Sequence, residues 1–372
     1  MQELSDESSI RAKLLLELYK DARISVSSLS KKLGINYYKT RTMLKSLDDE
    51  KELKYTIQIN CRRLGFDVER FIFLKFDSIP DEKLLQSEFA GDVFIQNAYL
   101  LKGDFDVLLH VVKASNTQYL LWAQMLRIRL SKYGPTLIVS DKAYMSTGFL
   151  PILSELINLS KVLNDKEKRI LVALNENSRE SIRNISNTYG FTYGMINRTI
   201  RSLIKRGILL GMTSLIRESE NRIMLVFALH NLKLGYRHQA CQNNVLKKLI
   251  SNDSMLSRSK YDIIAHTSGY FDMLFMFEYK NGSEYYEFGP VLWQKAFVKE
   301  EVKIQEATLI KVLKGYWPIH PKEYEGVKNE INSKTMGKAD YDRVNALMKI
   351  GKVNEALDRY YKTLSEVDNA NK

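Results

Sequence analysis

The sequence states one pattern twice, in the same order, and that duplication limits the fold more than any single motif does. Residues 10–53 and 168–209 each read as a short three-helix unit with a glycine-marked turn, at Gly34 and again at Gly190. A second echo follows each unit. Leu101-Lys-Gly103-Asp-Phe105-Asp106-Val-Leu-Leu returns as Thr267-Ser-Gly269-Tyr-Phe271-Asp272-Met-Leu-Phe. The spacing between copies grows by only about ten residues from the first echo to the second, so the halves run colinearly with one insertion.

Within the first unit, Ile10, Leu14, Leu15, Leu18 and Tyr19 recur at helical spacing and predict a first helix that ends before Asp21. Ser25 is a cap for a short second helix stopped by Gly34, and Asn36 caps a third running through Leu47. Leu29, Leu33, Thr40, Leu44 and Leu47 make the inward side. The second copy places Ile170, Leu171 and Leu174 in its first helix, Ile182 and Ile185 in its second, and Ile196, Ile200 and Leu203 in its third, which Thr192 caps. Helix, short helix, glycine turn, helix is the helix-turn-helix pattern, and residues 55–59 and 212–216 are expected to give each unit a β wing.

Downstream of each unit the period changes from helical to alternating. In copy one, strands are expected at 71–76, 93–101, 105–112 and 137–144, with helices at 80–89 and 115–130. That order is β-α-β-β-α-β, the ferredoxin-like unit. Copy two repeats it with strands at 222–230, 257–266, 271–279 and 302–313 and helices near 236–250 and 283–297. The fold class is therefore α+β: winged helix-turn-helix domains at 1–60 and 153–218 alternate with ferredoxin-like pairing domains at 61–152 and 219–320. Sheet faces rich in Phe71, Phe73, Leu108, Leu225, Phe227 and Phe275 are expected to bury each other, since neither sheet covers them alone. Residues 321–372 form a polar, helical tail whose 339–364 segment has the look of a single tetratricopeptide-like hairpin.

Charge supports one class of partner. The chain carries a net charge of +12, and the excess is concentrated in the helical units. Between Ala22 and Leu47 stand six basic residues and no acidic one, and the same is true between Ser181 and Arg217. A merely solvated surface mixes both signs. The two cysteines, Cys61 and Cys241, do not occupy matching repeat positions, which argues against a disulfide framework and fits a reducing compartment. The polar start of the chain lacks the apolar core of a secretory signal, and no apolar run approaches the ~20 residues of a membrane span, so a cytoplasmic protein with no membrane partner is expected. Five scattered histidines (His110, His230, His238, His266, His320), without HExxH, CxxC or P-loop patterns, give no catalytic or metal site and imply no cofactor.

The combination of Asp21-Ala-Arg23-Ile-Ser, Leu29-Ser-x2-Leu33-Gly34-Ile, Leu44-x2-Leu47, Leu64-Gly65 and then Gly103-x2-Asp106 resembles the Lrp/AsnC (feast/famine) transcription regulators of bacteria and archaea. The resemblance covers residues 8–150 and, more loosely, 163–315, where Asn177-Ser-Arg179-Glu-Ser replaces the first motif. That family usually carries one such unit per chain and pairs two chains. This chain looks like a tandem-duplicated, archaeal form, a pseudo-dimer in one polypeptide. The resemblance implies double-stranded DNA as partner, an amino-acid-like effector near Gly103, Asp106, Gly269 and Asp272, and room for further homo-oligomerisation. A hairpin turn in which glycine supplies positive φ and aspartate bonds the loop accounts for the same four residues without an effector.

If Thr40, Leu44 and Leu47 face inward, Tyr37, Tyr38, Lys39, Arg41, Thr42 and Lys45 face outward, where they meet bases and phosphates. The same register in copy two offers Tyr193, Met195, Asn197, Arg198 and Arg201. Because the two surfaces differ, an imperfect repeat with half-sites ~34 Å or a multiple apart is expected. Two other classes stay open: a protein-interaction adaptor on the same fold, and a tetrapyrrole enzyme like the siroheme decarboxylases, which share tandem regulator-like folds.

Overall fold

The computed structural model describes residues 2–50, 53–142, 152–216, 223–230, 260–271, 273–279 and 303–315. The first helical unit comprises α1 (Gln2–Lys20), α2 (Val26–Leu33) and α3 (Tyr37–Asp49), followed by β1 (Leu53–Ile59). Next come β2 (Val68–Phe76), α4 (Glu82–Ala90), β3 (Ile95–Gly103), β4 (Val107–Lys113), α5 (Asn116–Arg129) and β5 (Pro135–Lys142). The second helical unit is α6 (Ser154–Leu159), α7 (Asp165–Glu176), α8 (Ile182–Tyr189) and α9 (Tyr193–Lys205), followed by β6 (Leu209–Ile216). Four strands complete the described chain: β7 (Ile223–His230), β8 (Lys260–Gly269), β9 (Met273–Tyr279) and β10 (Lys303–Lys314). The expected helices at 236–250 and 283–297 and the tail at 321–372 lie outside the described residues.

Local chemistry sets the helix ends where the sequence placed them. Ser25 Oγ accepts the Ser28 N–H at 3.1 Å and Asn36 Oδ1 accepts the Lys39 N–H at 2.7 Å, each satisfying a donor that the helix leaves open. Thr192 does the same for Met195. Gly34 and Gly190 both adopt φ +68°, the left-handed conformation that lets a helix stop in one residue. Helix α6 was not legible in the sequence; its Leu156 and Ile157 are buried against the second unit.

One expectation is corrected. The strands after the helical units do not form separate wings: β1 and β6 pair with each other, antiparallel, with Thr56 opposite Thr213. Each unit contributes one strand whose backbone groups need a ladder, and the other repeat supplies the complementary edge. The exchange extends to the helices, because α1 packs on β6 and α7 on β1. Thr213 Oγ1 donates to the Tyr19 carbonyl at 2.7 Å, and Thr56 Oγ1 donates to Asn175 Oδ1 at 2.9 Å. The Ala22 N–H reaches the Met212 carbonyl at 2.9 Å, and at the matching place in the other repeat the Ser178 N–H reaches Tyr55 at 3.3 Å.

The first sheet unit has the expected β-α-β-β-α-β order, with strands arranged β3-β4-β2-β5. The second half arranges its strands β8-β9-β7-β10, the same order. Strand β5 then joins β8 and β10 joins β3, so the two sheets close into one barrel. Its interior holds Phe71, Phe73, Tyr99, Phe105 and Leu108 from one repeat against Phe271, Leu274 and Leu309 from the other. Phe71, Phe73 and Leu108 are therefore buried as the sequence led us to expect, while the side chains of Leu225, Phe227 and Phe275 lie outside the described residues. Alternate side chains, including Ile72, Leu74 and Leu109, point the other way and pack under Leu85 and Phe89 of α4 and Trp122 and Leu126 of α5. Closure removes the sheet edges that two separate sheets would expose.

Candidate nucleic-acid interface

Helix α3 divides into two faces. Thr40, Leu44 and Leu47 are buried, whereas Tyr37, Tyr38, Lys39, Arg41, Thr42 and Lys45 are all exposed. Tyr38 is 78% exposed and meets Tyr37 edge-on with ring centres 5.8 Å apart, so two aromatic rings stand at the start of the helix beside the basic arc. The Thr40 hydroxyl turns inward and donates to the Asn36 carbonyl at 3.0 Å, which leaves Thr42 as the outward threonine.

Helix α9 repeats the division. Ile196 and Leu203 are fully covered and Ile200 nearly so, while Tyr193, Asn197, Arg198 and Arg201 are exposed. Met195 is half-buried, less accessible than its outward register suggested. Arg198 Nε donates to the Gly194 carbonyl one turn back at 3.2 Å, which lays its guanidinium along the helix surface. Both helices thus expose tyrosine, basic side chains (three on α3, Arg198 and Arg201 on α9) and a small polar side chain, with a different order of groups on each.

Several basic residues of the two windows have other partners. Arg23 Nε donates to the Ser178 carbonyl at 2.6 Å, and a second guanidinium nitrogen donates to the Glu180 carbonyl. Arg179 returns the contact, donating to the Ala22 carbonyl at 2.7 Å. Burial, then the charge of neighbouring Arg179, pushes the Arg23 guanidinium below its ordinary range. Arg206 pairs with Glu167, and Lys32 pairs with Glu17 at 2.5 Å. Sequence reasoning missed the reciprocal arginines, although a signal existed: Asp21-Ala-Arg23 and Asn177-Ser-Arg179 occupy matching positions in the repeat. Their contacts tie one helical unit to the other and so fix α3 relative to α9.

The Gly-x-x-Asp loop also needs a correction. The Asp106 carboxylate does not bond its own loop; it accepts the Phe76 N–H of β2 at 2.8 Å and pairs with the Lys75 ammonium at 2.9 Å. Gly103 lies opposite Ala307 in the β3–β10 ladder at φ +147°, and the Asp104 carboxylate accepts the Glu306 N–H at 2.8 Å. In the second copy Gly269 lies opposite Ser140, whose hydroxyl accepts the Phe271 N–H at 2.8 Å. Both loops are therefore the seams between repeats. Asp272 lies outside the described residues.

His110 is fully buried, its ring nitrogens 3.1 Å from Asn97 Nδ2 and 2.9 Å from Glu69 Oε1, with Phe71 stacked on its face. Among the described residues no group of His, Cys, Asp and Glu is arranged to hold a metal ion, and no helix is long and apolar enough to cross a membrane.

No family model matches the chain. An uncharacterized HTH-type transcriptional regulator of Pyrococcus horikoshii is 34% identical over 123 residues, which are 32% of this chain and 79% of that protein. The HTH-type transcriptional regulator LrpA of the same organism is 33% identical over 106 residues, 26% of this chain and 70% of LrpA. The crystal structure of the siroheme decarboxylase NirDL covers 87% of this chain and 98% of its own, with a TM-score of 0.51 and 13% identity, a likeness of fold. The helix-turn-helix units, the alternating sheet units and the identity to regulators over most of their length together show that this chain belongs to the Lrp/AsnC-like family of helix-turn-helix transcriptional regulators.

Proposed function

We propose that the chain is a sequence-specific, DNA-binding transcription regulator that acts as a single-chain pseudo-dimer with two unlike reading helices. The observation that carries this reading is the shared polarity of α3 and α9: each buries its apolar arc and exposes a basic, tyrosine-bearing one. Lys39, Arg41 and Lys45 would meet phosphates and guanine edges, Thr42 a thymine methyl, and Tyr37 and Tyr38 phosphate oxygens. On the other helix Arg198 and Arg201 would take the phosphate role, Asn197 would pair with adenine, and Tyr193 and Met195 would line the approach. Because the arginines of the two repeats hold the helices in one relation, the operator should be an imperfect repeat of two half-sites.

Replacing Lys39 and Arg41 together by alanine is expected to weaken DNA binding by at least about tenfold and to reduce the slope of log affinity against log salt by about two. An unchanged slope would show that α3 does not meet the backbone. Selection from a random DNA library should enrich two different half-sites; no enrichment would favour the adaptor class instead. The reading extends to an amino-acid-like effector near Gly103, Asp106, Gly269 and Asp272. Since Asp106 is already engaged by Lys75 and the Phe76 N–H, such an effector would meet loop backbone rather than that carboxylate. The likeness of fold to NirDL gives the tetrapyrrole reading one supporting observation, and a Soret shift on titration with siroheme would replace the regulator reading.

A further inference from the structure

Outside the reading helices and the repeat seams, a groove of about 680 Å³ opens between α4 and α5 on the outer face of the first sheet. That volume falls within the range of small-molecule sites, roughly 300–1,000 Å³. Its floor is Lys113, the last residue of β4, only 4% exposed. The Lys113 ammonium stands 3.3 Å from the centre of the Phe94 ring and 5.3 Å from that of Trp122. Among the described residues no oxygen accepts a hydrogen bond from it.

The carboxylates nearby are already engaged. Asp92 accepts the Trp122 indole N–H and the Phe94 N–H at 3.0 Å, and Arg129 lies 3.7 Å from it. Glu88 pairs with Arg129 at 3.0 Å. Lys113 is thus a nearly buried cation with aromatic faces but no dedicated counter-ion, aimed into a groove whose rim carries the exposed apolar side chains of Leu121 and Met125. A cation so placed gains most from a charge-assisted hydrogen bond, and the apolar rim gains from being covered.

We infer that this groove is a binding site for a small organic monoanion with an apolar body, its carboxylate on Lys113 and its body against Trp122, Leu121 and Met125. The Lys113 ammonium, which has aromatic faces but no hydrogen-bonded carboxylate, accommodates one negative charge. Arg129 on the same rim is committed to Glu88 and Asp92, so no second cation is open to a polyanion, which favours a monoanion over polyphosphates or the nucleic-acid backbone. The site also adjoins the second helical unit. Phe94, under the Lys113 ammonium, packs against the core that contains Ile170 and Leu171 of α7 and Leu203 of α9. On the DNA-binding reading, which this consequence alone depends on, an anion in the groove would bias the placement of the second reading helix.

The test is calorimetric titration of the full-length protein, without DNA, with 3-phenylpropionate and with its neutral amide. Wild-type protein should bind the acid, and the amide should bind at least about tenfold more weakly, as expected for loss of a charge-assisted hydrogen bond. Lys113→Met keeps the buried stem and removes the charge, and should lose the acid by the same factor while its far-UV circular dichroism stays that of the wild type. Met125→Glu, an exposed change that leaves the core untouched, should weaken the acid by repulsion. Equal binding of acid and amide, full binding by either variant, or no binding to wild type overturns the site. Since no DNA enters the titration, its outcome is separate from that of the operator experiments.

Discussion

A methyl group at position 103 would lie 2.5 Å from the Glu306 carbonyl oxygen and 2.9 Å from the Ala307 Cα. Both contacts are with backbone of the other repeat, which cannot step aside without opening the barrel seam. Gly103→Ala is therefore expected to cost at least about 2 kcal/mol of unfolding free energy, read as a lower urea midpoint. Arg23→Ala should cost on the order of 1–3 kcal/mol by orphaning the Ser178 and Glu180 carbonyls, while leaving the salt slope of DNA binding unchanged, in contrast to Lys39 and Arg41. Lys113 carries a pH signature: burial, then the Arg129 charge, pushes it from 10.5 down to about 8 against the pull of Asp92. The unfolded chain then holds the proton more tightly, so this group's contribution to stability rises as pH climbs from about 8 towards 10.5. Urea midpoints across that window should rise in the wild type relative to Lys113→Met; equal trends would show that Lys113 titrates normally. Gly34 and Asp106 show how far single residues could be read. The left-handed turn at Gly34 is a local demand and was legible, but Asp106 finds its partner on a strand some thirty positions away, which spacing does not reveal.

At the scale of elements, α3 and α9 were readable because a helix writes its own face into the spacing of its apolar residues. The capping residues confirm their starts. Gly194 is the exception in α9: it sits in the first turn, and a Cβ there would meet nothing within 4 Å. Gly194→Ala should raise stability by several tenths of a kcal/mol to about 1 kcal/mol, seen as a higher Tm. If DNA affinity also fell, the position would mark a close approach of the duplex to that helix. Strands β1 and β6 were placed in the sequence with only small boundary errors, but not paired correctly. Alternation of side chains specifies the faces of a strand and says nothing of which edge it joins. The ladder went to the other repeat because a lone strand's backbone groups needed a partner, and its pseudo-symmetric counterpart offered one.

Among the described residues the repeats are joined by strand exchange at the β1–β6 ribbon and at the barrel seams β5–β8 and β10–β3. Neither half of the barrel core is complete alone, since Phe73, Phe105 and Phe271 form one aromatic cluster drawn from both repeats, with ring centres 4.6 to 5.5 Å apart. Urea unfolding followed by far-UV circular dichroism and by tryptophan fluorescence is expected to give coincident transitions, and two separated steps would show that the repeats unfold independently. By itself the sequence determined the duplication, the capped helices α2, α3, α8 and α9, the faces of the first sheet's strands and the family, because each of these is written in spacings of a few residues. Only the tertiary structure decided that the strands cross between repeats, that the Gly-x-x-Asp loops are seams, and that Arg23 and Arg179 lock the helical units to each other. Those outcomes depend on which backbone groups are brought within about 3 Å of each other across long stretches of chain, and hydrogen-bond partners at that distance are chosen by packing, not by position in the sequence.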